Sequence, residues 1–237
     1  MNSTSFTPHR DSPLRLAFKL SLPVFLSYFP LGLVFGALFT KLHEPWFFAS
    51  LMSIFAYSGA VQFVTLGLLK EQASYVFIFL SIILIAGRNM FYGLSLLKRY
   101  RMPWFKKIVS IFLLVDTNYA VMLKTPMYED KKQDNLFCVW LAVFIYLYWV
   151  VGTLLGSLIG NQIPGVENLE FVLVAFFAIT LLEQYRKTRA IFPIFIGLIS
   201  FLLALCLVPE TALLLFAISL SAVALVRVFY WRERSKS

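Results

Sequence analysis

The chain has 237 residues, of which 60% are apolar and only 14% charged, and its mean hydropathy is +0.80. Soluble proteins are about 45–50% apolar, so this composition excludes a soluble globular fold. It also removes the need for a nucleic-acid partner to explain the net charge of +9, because membrane proteins gather Lys and Arg in the loops that stay in the cytoplasm.

Residues 1–13 are polar and lack the apolar core and small-residue cleavage site of a signal peptide, so insertion falls to the first span. Leu20 to Thr40 is uncharged and bracketed by Arg15, Lys19 and Lys41, long enough as a helix to cross a hydrocarbon core of about 30 Å. Trp46 to Leu69 is uncharged, as is Gln72 to Leu97 apart from Arg88. The most basic loop, 98–107, follows, then Ile108 to Leu123 with one interior acid, Asp116, and a mixed-charge stretch from Lys124 to Asn135. Leu136 to Val166 is uncharged and bends near Gly160–Gly165. Phe171 to Leu182 is short, and Ala190 to Pro209 and Thr211 to Val226 complete the apolar segments.

The fold class is therefore all-α: a polytopic membrane bundle of about eight segments in one membrane domain, 1–237, with a polar tail at 1–13 and a basic tail at 231–237. Only helices and closed barrels span lipid, and these runs show no alternating polarity. Two arrangements stay open. If all eight segments cross, fourteen Lys and Arg lie inside and six outside; if the second and sixth are re-entrant, leaving six spans, the division is fifteen to five. Local signals favour the second, because the strongest basic cluster then faces the cytoplasm and a run as short as Phe171–Leu182 suits a re-entrant segment. An internal repeat of 14–123 and 136–230 is suggested by Gly32-x-x-x-Gly36 and Gly152-x-x-x-Gly156; it would be inverted with six spans and parallel with eight.

Few residues could carry chemistry. Ser58, Gly59 and Gln62 interrupt an apolar run with small and amide side chains. They mark either a close helix contact or a broken helix whose freed amides receive a substrate carboxylate. Arg88 is the one cation deep in a span, with Tyr92 and Ser95 on its helical face. It reads as an anion anchor, an ion-pair partner, or a side chain snorkelling to the basic loop. Asp116 is either a proton-carrying acid in a cavity or the partner of Arg88. Glu183, followed by Arg186 and Lys187, reads as a membrane-edge ion pair. Gly152, Gly156 and Gly160 form a stripe suited to close packing, within the chain or against a partner. Cys138 and Cys206 read as buried thiols, and His9 and His43, in polar segments, cannot build a metal or acid–base site inside the membrane. No enzyme motif or cofactor-binding fingerprint is visible, and a channel is disfavoured by the lack of a filter sequence or charged ring.

These stretches, namely Pro23 to Gly36, Ser58-Gly59-Ala60-Val61-Gln62-Phe63, Arg88 with Phe91-Tyr92-Gly93, Asp116 with Tyr119-Ala120, and Phe171 to Leu182, resemble in order and spacing the AzlC family of branched-chain amino acid permeases. The sequence departs from the family pattern at Ala86 and Asn89 around Arg88, where the family motif looks like Asn-x-Arg-His, and at Thr117 after Asp116, where it usually reads Asp-Glu. The resemblance implies a plasma (inner) membrane, multi-pass subunit that exports small hydrophobic amino acids (valine, leucine, isoleucine or methionine) with a small AzlD-like membrane partner.

Overall fold

The computed structural model describes residues 12–42, 44–96, 99–100, 102–163, 191–208 and 216–225, with isolated positions at 171–172, 174–175, 178, 181–182, 185–186, 189, 213 and 227. The side chains of Arg88, Met90 and Phe91 fall outside this set, as do His43 and Glu183. The elements among these residues are helices: α1 (Pro13–Phe39), α2 (Trp46–Phe55), α3 (Gly59–Lys70), α4 (Tyr75–Leu96), α5 (Trp104–Phe112), α6 (Asp116–Lys124), α7 (Lys131–Ile159), α8 (Phe192–Leu207) and α9 (Phe216–Leu225). Single 3-10 turns extend α1 to Leu42 and α7 to Gln162. With those turns, α1 and α7 join α4 as the helices among the described residues that are long and apolar enough to cross a membrane. Contacts gather into two compact units, one within Met1–Phe63 and Ala86–Leu169, the other within Val64–Ile85 and Glu170–Ser237.

The first unit is organised by α1 and α7. Ser12 caps α1 by accepting from the Arg15 amide, with Pro13 at the first helical position, where its missing N–H costs nothing. Asp130 caps α7 by accepting from the Lys132 amide at 2.9 Å. The two helices meet through their glycines. A Cβ on Gly32 would lie 2.8 Å from the Trp149 carbonyl oxygen and 3.2 Å from the Thr153 nitrogen; one on Gly152 would lie 2.5 Å from the Phe29 oxygen and 3.3 Å from the Leu33 nitrogen. Adding 120 to one set of numbers gives the other. Gly36 and Gly156 repeat the relation one turn on, against Thr153 and Leu33, and Gly160 closes on Ala37 and Thr40. A constant offset means that α1 and α7 run parallel, and the reciprocity gives the pair a local two-fold relation about an axis along the helices. Only backbones without side chains can approach so closely. The stripe that could have served a partner is thus consumed within the chain.

Between these two helices the chain reverses twice. The α2 helix ends at Met52–Ala56, and Gln62 on α3 reaches back to the Met52 and Ala56 carbonyls. In one continuous helix, residues ten apart are about 15 Å apart, beyond the reach of a glutamine, so the chain turns back on itself at 56–59, where α2 and the start of α3 make a hairpin tip. The α5–α6 pair does the same. Arg99, just before α5, donates to the Met122 carbonyl and, at 3.1 Å, to that of Thr125 at the end of α6. A straight rod over that stretch would hold those groups more than about 30 Å apart.

This corrects the sequence reading of Ile108 to Leu123. Both expected arrangements make it a through-span, which puts the loops on either side of it at opposite ends. Instead it is two nine-residue helices that turn at Leu113–Val115, and both loops lie at one end of the first unit. An apolar stretch of spanning length does not span when a side chain is placed to satisfy the backbone at a break, and Asn118 does that here. The inverted relation expected with six spans also fails for α1 and α7, which are parallel. Beyond α7, much of the second expected repeat copy lies outside the described residues.

One hydrophobic cluster, including Leu16, Ala17, Leu96, Tyr100, Leu113, Met122, Phe137, Cys138 and Ile145, ties α1, the end of α4, the α5–α6 hairpin and α7 together in the first unit. The outward faces stay apolar: Leu26 is 74% exposed and Phe55 73%, as suits lipid. In the second unit α8 buries Ser200 and Ala204 while Phe195, Leu198 and Leu202 face outward. Cys138 is buried as expected, but Cys206 is on the outside of α8. A thiol facing hydrocarbon needs no protein cover, so an apolar run does not by itself mean burial within the fold.

Candidate functional site

Each hairpin turns on a buried carboxamide. Gln62, 0% exposed, donates through Nε2 to the Ala56 carbonyl at 3.0 Å and the Met52 carbonyl at 3.4 Å. Its Oε1 accepts from the Trp149 indole at 2.8 Å and from the Ser53 hydroxyl at 3.3 Å. Two donors and two lone pairs are the full capacity of an amide, so Gln62 closes the α2–α3 tip and positions it on α7. Ser53 continues the network to Thr153 at 2.9 Å. In the second hairpin Asn118, also 0% exposed, donates to the Leu113 carbonyl at 2.7 Å and accepts from the Val115 amide at 2.8 Å, bridging the break from both sides.

The tips carry the polar groups. Ser58 stands at the start of α3, its carbonyl accepting the Gln62 amide at 3.0 Å, so the amides of Gly59, Ala60 and Val61 form the first turn and have no partner within the helix itself. Gly59 rests on the Trp149 ring: a Cβ there would meet Cη2 at 2.9 Å. On the other tip Asp116 opens α6, where a carboxylate suits the positive end of the helix dipole. Tyr28 of α1 donates to Asp116 at 3.4 Å and pairs with the Thr117 hydroxyl at 2.7 Å. Tyr28 also packs edge-on against Trp149, centroids 5.6 Å apart. Both tips therefore reach the same Tyr28–Trp149 pair, about halfway along α1 and α7. Tyr57, immediately before Ser58, packs on Tyr146 with centroids 4.9 Å apart and has Tyr28 and Asp116 as electrostatic neighbours.

Of the residues singled out in the sequence, Ser58, Gly59, Gln62 and Asp116 are thus brought together. Tyr92 of α4 stacks at 4.8 Å on Tyr119, which lies one turn beyond Asp116 on α6. Arg88 is in α4, its side chain outside the described set, so its pairing with Asp116 is outside it too. Three residues at the tips carried too little sequence signal to be singled out. Tyr28 and Trp149 look like ordinary aromatic helix residues, and Asn118 announces itself only as an amide three positions after a break that hydropathy does not show.

At the base of the second hairpin, Arg99 and Asp134 form a bidentate ion pair with distances of 2.9 and 3.0 Å. Asp134 also accepts from the Tyr128 amide at 3.2 Å, and the guanidinium sits 5.8 Å from the Phe137 ring centroid. Burial alone would lower the Arg99 pKa, but the hydrogen bonds and charge of Asp134, with Cys138, raise it further than burial lowers it, so the guanidinium stays charged. In the sequence Arg99 is one of five basic residues in a loop and is indistinguishable from its neighbours. Among the described residues no group of three His, Cys, Asp or Glu could hold a metal ion.

Residues 23–163, which include every element of this site, match the model of the AzlC protein family. The chain is 30% identical over 212 residues to an uncharacterized membrane protein of Helicobacter pylori strain 26695, covering 89% of this chain and 92% of that one. It is 27% identical to the branched-chain amino acid transport protein AzlC of Bacillus subtilis strain 168, over 78% of this chain and 72% of the relative. It is 29% identical to the inner membrane protein YgaZ of Escherichia coli K12, over 73% and 74% respectively. No solved structure matches the chain. With the family model covering more than half of its length, including both hairpins and the two helices that hold them, the chain belongs to the AzlC family of membrane proteins.

Proposed function

We propose that this protein is a secondary transporter subunit that moves valine, leucine, isoleucine or a similar small hydrophobic amino acid out of the cell, in complex with a small AzlD-like membrane subunit. The observation that carries this reading is the meeting of two hairpin tips midway along the paired helices α1 and α7. One tip offers the first-turn helix amides behind Ser58 and Gly59; the other offers the Asp116 carboxylate. Interrupted helices at membrane depth are a recurring way to hold a small zwitterion and its coupling ion. Substrate binding is assigned to Ser58, Gly59, Arg88, Tyr92 and Asp116, with Gln62 acting by positioning the first tip. The surrounding Phe and Leu suit an aliphatic side chain. One methylene is worth only about 1–3 kcal/mol in an apolar pocket, so a broad substrate range is expected.

The orientation follows from charge. In the first unit Arg15, Lys19, Arg99, Lys106, Lys107, Lys124, Lys131 and Lys132 belong to the end where α1 and α7 begin, and Lys41 alone to the other, counting described residues. By the positive-inside rule the basic end faces the cytoplasm of a multi-pass plasma-membrane protein. The relative from Bacillus subtilis, named for branched-chain amino acid transport, supports the substrate class.

Purified complex in vesicles should exchange labelled leucine or valine, and Arg88→Ala should abolish flux while the complex still assembles. Flux no higher than in protein-free vesicles across the hydrophobic amino acids would sink the reading. The main competitor, a non-transporting scaffold that docks its partner on the Gly152–Gly156–Gly160 stripe, loses its surface, since α1 occupies that stripe.

A further inference from the structure

Tyr57 is 6% exposed and, among the described residues, its hydroxyl has no hydrogen-bond partner. Burying an unmet hydroxyl works against folding, and a phenylalanine would fill the same volume without that cost. The residue sits at the tip of the α2–α3 hairpin, one position before Ser58. Its hydroxyl and the first-turn amides of Gly59, Ala60 and Val61 therefore belong to one tip, at the positive end of a twelve-residue helix. Asp116, on the facing tip, is among its electrostatic neighbours. Groups of opposite preference thus stand on two tips that meet at the same Tyr28–Trp149 pair: a neutral donor with helix amides on one, and a carboxylate on the other.

Resting on the amino-acid transport reading above, we infer that the Tyr57 hydroxyl is a specificity-determining ligand that donates to the carboxylate of the substrate, while Asp116 faces its ammonium group. The division follows from chemistry. A phenol beside a helix N-terminus is a donor to anions, whereas the Asp116 carboxylate would repel one. The hydroxyl finds no partner among the described residues because its partner is the cargo.

The test compares leucine with leucinamide, which keeps the ammonium and side chain but lacks the carboxylate, as competitors of labelled leucine exchange in vesicles holding the complex. In the wild type, leucine should compete far better than leucinamide. Tyr57→Phe should raise the KM for leucine about ten- to a hundred-fold, the worth of a hydrogen bond to a charged group. It should leave inhibition by leucinamide unchanged, and its Tm in detergent should equal or exceed that of the wild type. An unchanged leucine KM, or a preference for leucine over leucinamide that is undiminished in Tyr57→Phe, would overturn the inference. So would a marked fall in Tm, which would make the hydroxyl a structural group. A wild type without amino-acid flux fails earlier, and identifies the transport reading itself as the fault.

Discussion

Gln62 and Asn118 solve the same problem in two hairpins: a helix broken at membrane depth exposes carbonyls and amides that hydrocarbon cannot satisfy. Each supplies one compact group with both a donor and an acceptor. Gln62→Leu would strand the Trp149 indole N–H and two backbone carbonyls; at about 1–3 kcal/mol per buried unmet group, a loss of at least about 2 kcal/mol is expected in detergent unfolding. The Arg99–Asp134 pair is a different case, since its members are charged and nearly buried. Arg99→Met alone should cost about 3–5 kcal/mol by leaving Asp134 unpaired, and a double variant with Asp134→Leu should regain most of it. The regain would fall short of complete, because Arg99 also caps the carbonyls of Met122 and Thr125. A double variant no more stable than Arg99→Met would mean that the unpaired carboxylate is not the source of the loss.

At the scale of elements, the pairing of α1 with α7 is set by backbone proximity. Gly36→Ala would place a methyl group against the Thr153 carbonyl and 2.6 Å from the Ser157 nitrogen. Neither is the movable end of a side chain, so the helices must separate. The expected destabilisation is about 1–3 kcal/mol or more, read as a lower midpoint in thermal unfolding. Gly67, on α3, has none of the described residues within 4 Å of the place where a methyl group would stand, and Gly67→Ala should instead stabilise by about 0.5–1 kcal/mol through helix propensity. Equal effects at both positions would mean that propensity, rather than close approach, explains the glycines. Pro23 and Pro30 persist inside α1 for a related reason: neighbouring protein lets a spanning helix tolerate a lost amide.

At the largest scale, the α5–α6 reversal fixes that the loops at 98–107 and 124–135 share a side of the first unit. Within the first unit α1 and α7 are parallel and the α5–α6 hairpin returns to the end from which it starts, which is also the end of α4. Its end at Leu96 packs in the same cluster as Leu16 and Phe137. Lys107→Cys and Lys124→Cys, in a background of Cys138→Ser and Cys206→Ser, should both resist a membrane-impermeant thiol reagent added to intact cells, whereas Glu44→Cys should react. Labelling of Lys107→Cys or Lys124→Cys but not both would restore a through-span over 108–123 and undo the topology. The charge division becomes decisive only with this reversal. Neither sequence-based arrangement kept the loops at 98–107 and 124–135 together, and their totals barely differed.

The sequence by itself determined the solvent and the class of fold. Long uncharged runs leave no alternative to membrane helices, and the few residues that interrupt them, Ser58 to Gln62 and Asp116, mark where the chain breaks at depth. It also marked the glycines that pack. Only the tertiary structure decided what those marks mean. Hydropathy is a sum over a window and is blind to direction, so a hairpin and a span with equal composition look alike until Asn118 is seen bridging the break and Arg99 is seen touching the far end of α6. Gly152 and Gly156 could have faced a partner until α1 was found against them. The tyrosines and the tryptophan that join the two tips are indistinguishable by type from their lipid-facing neighbours. Their role comes from contacts between residues up to about 120 positions apart, which no local pattern records.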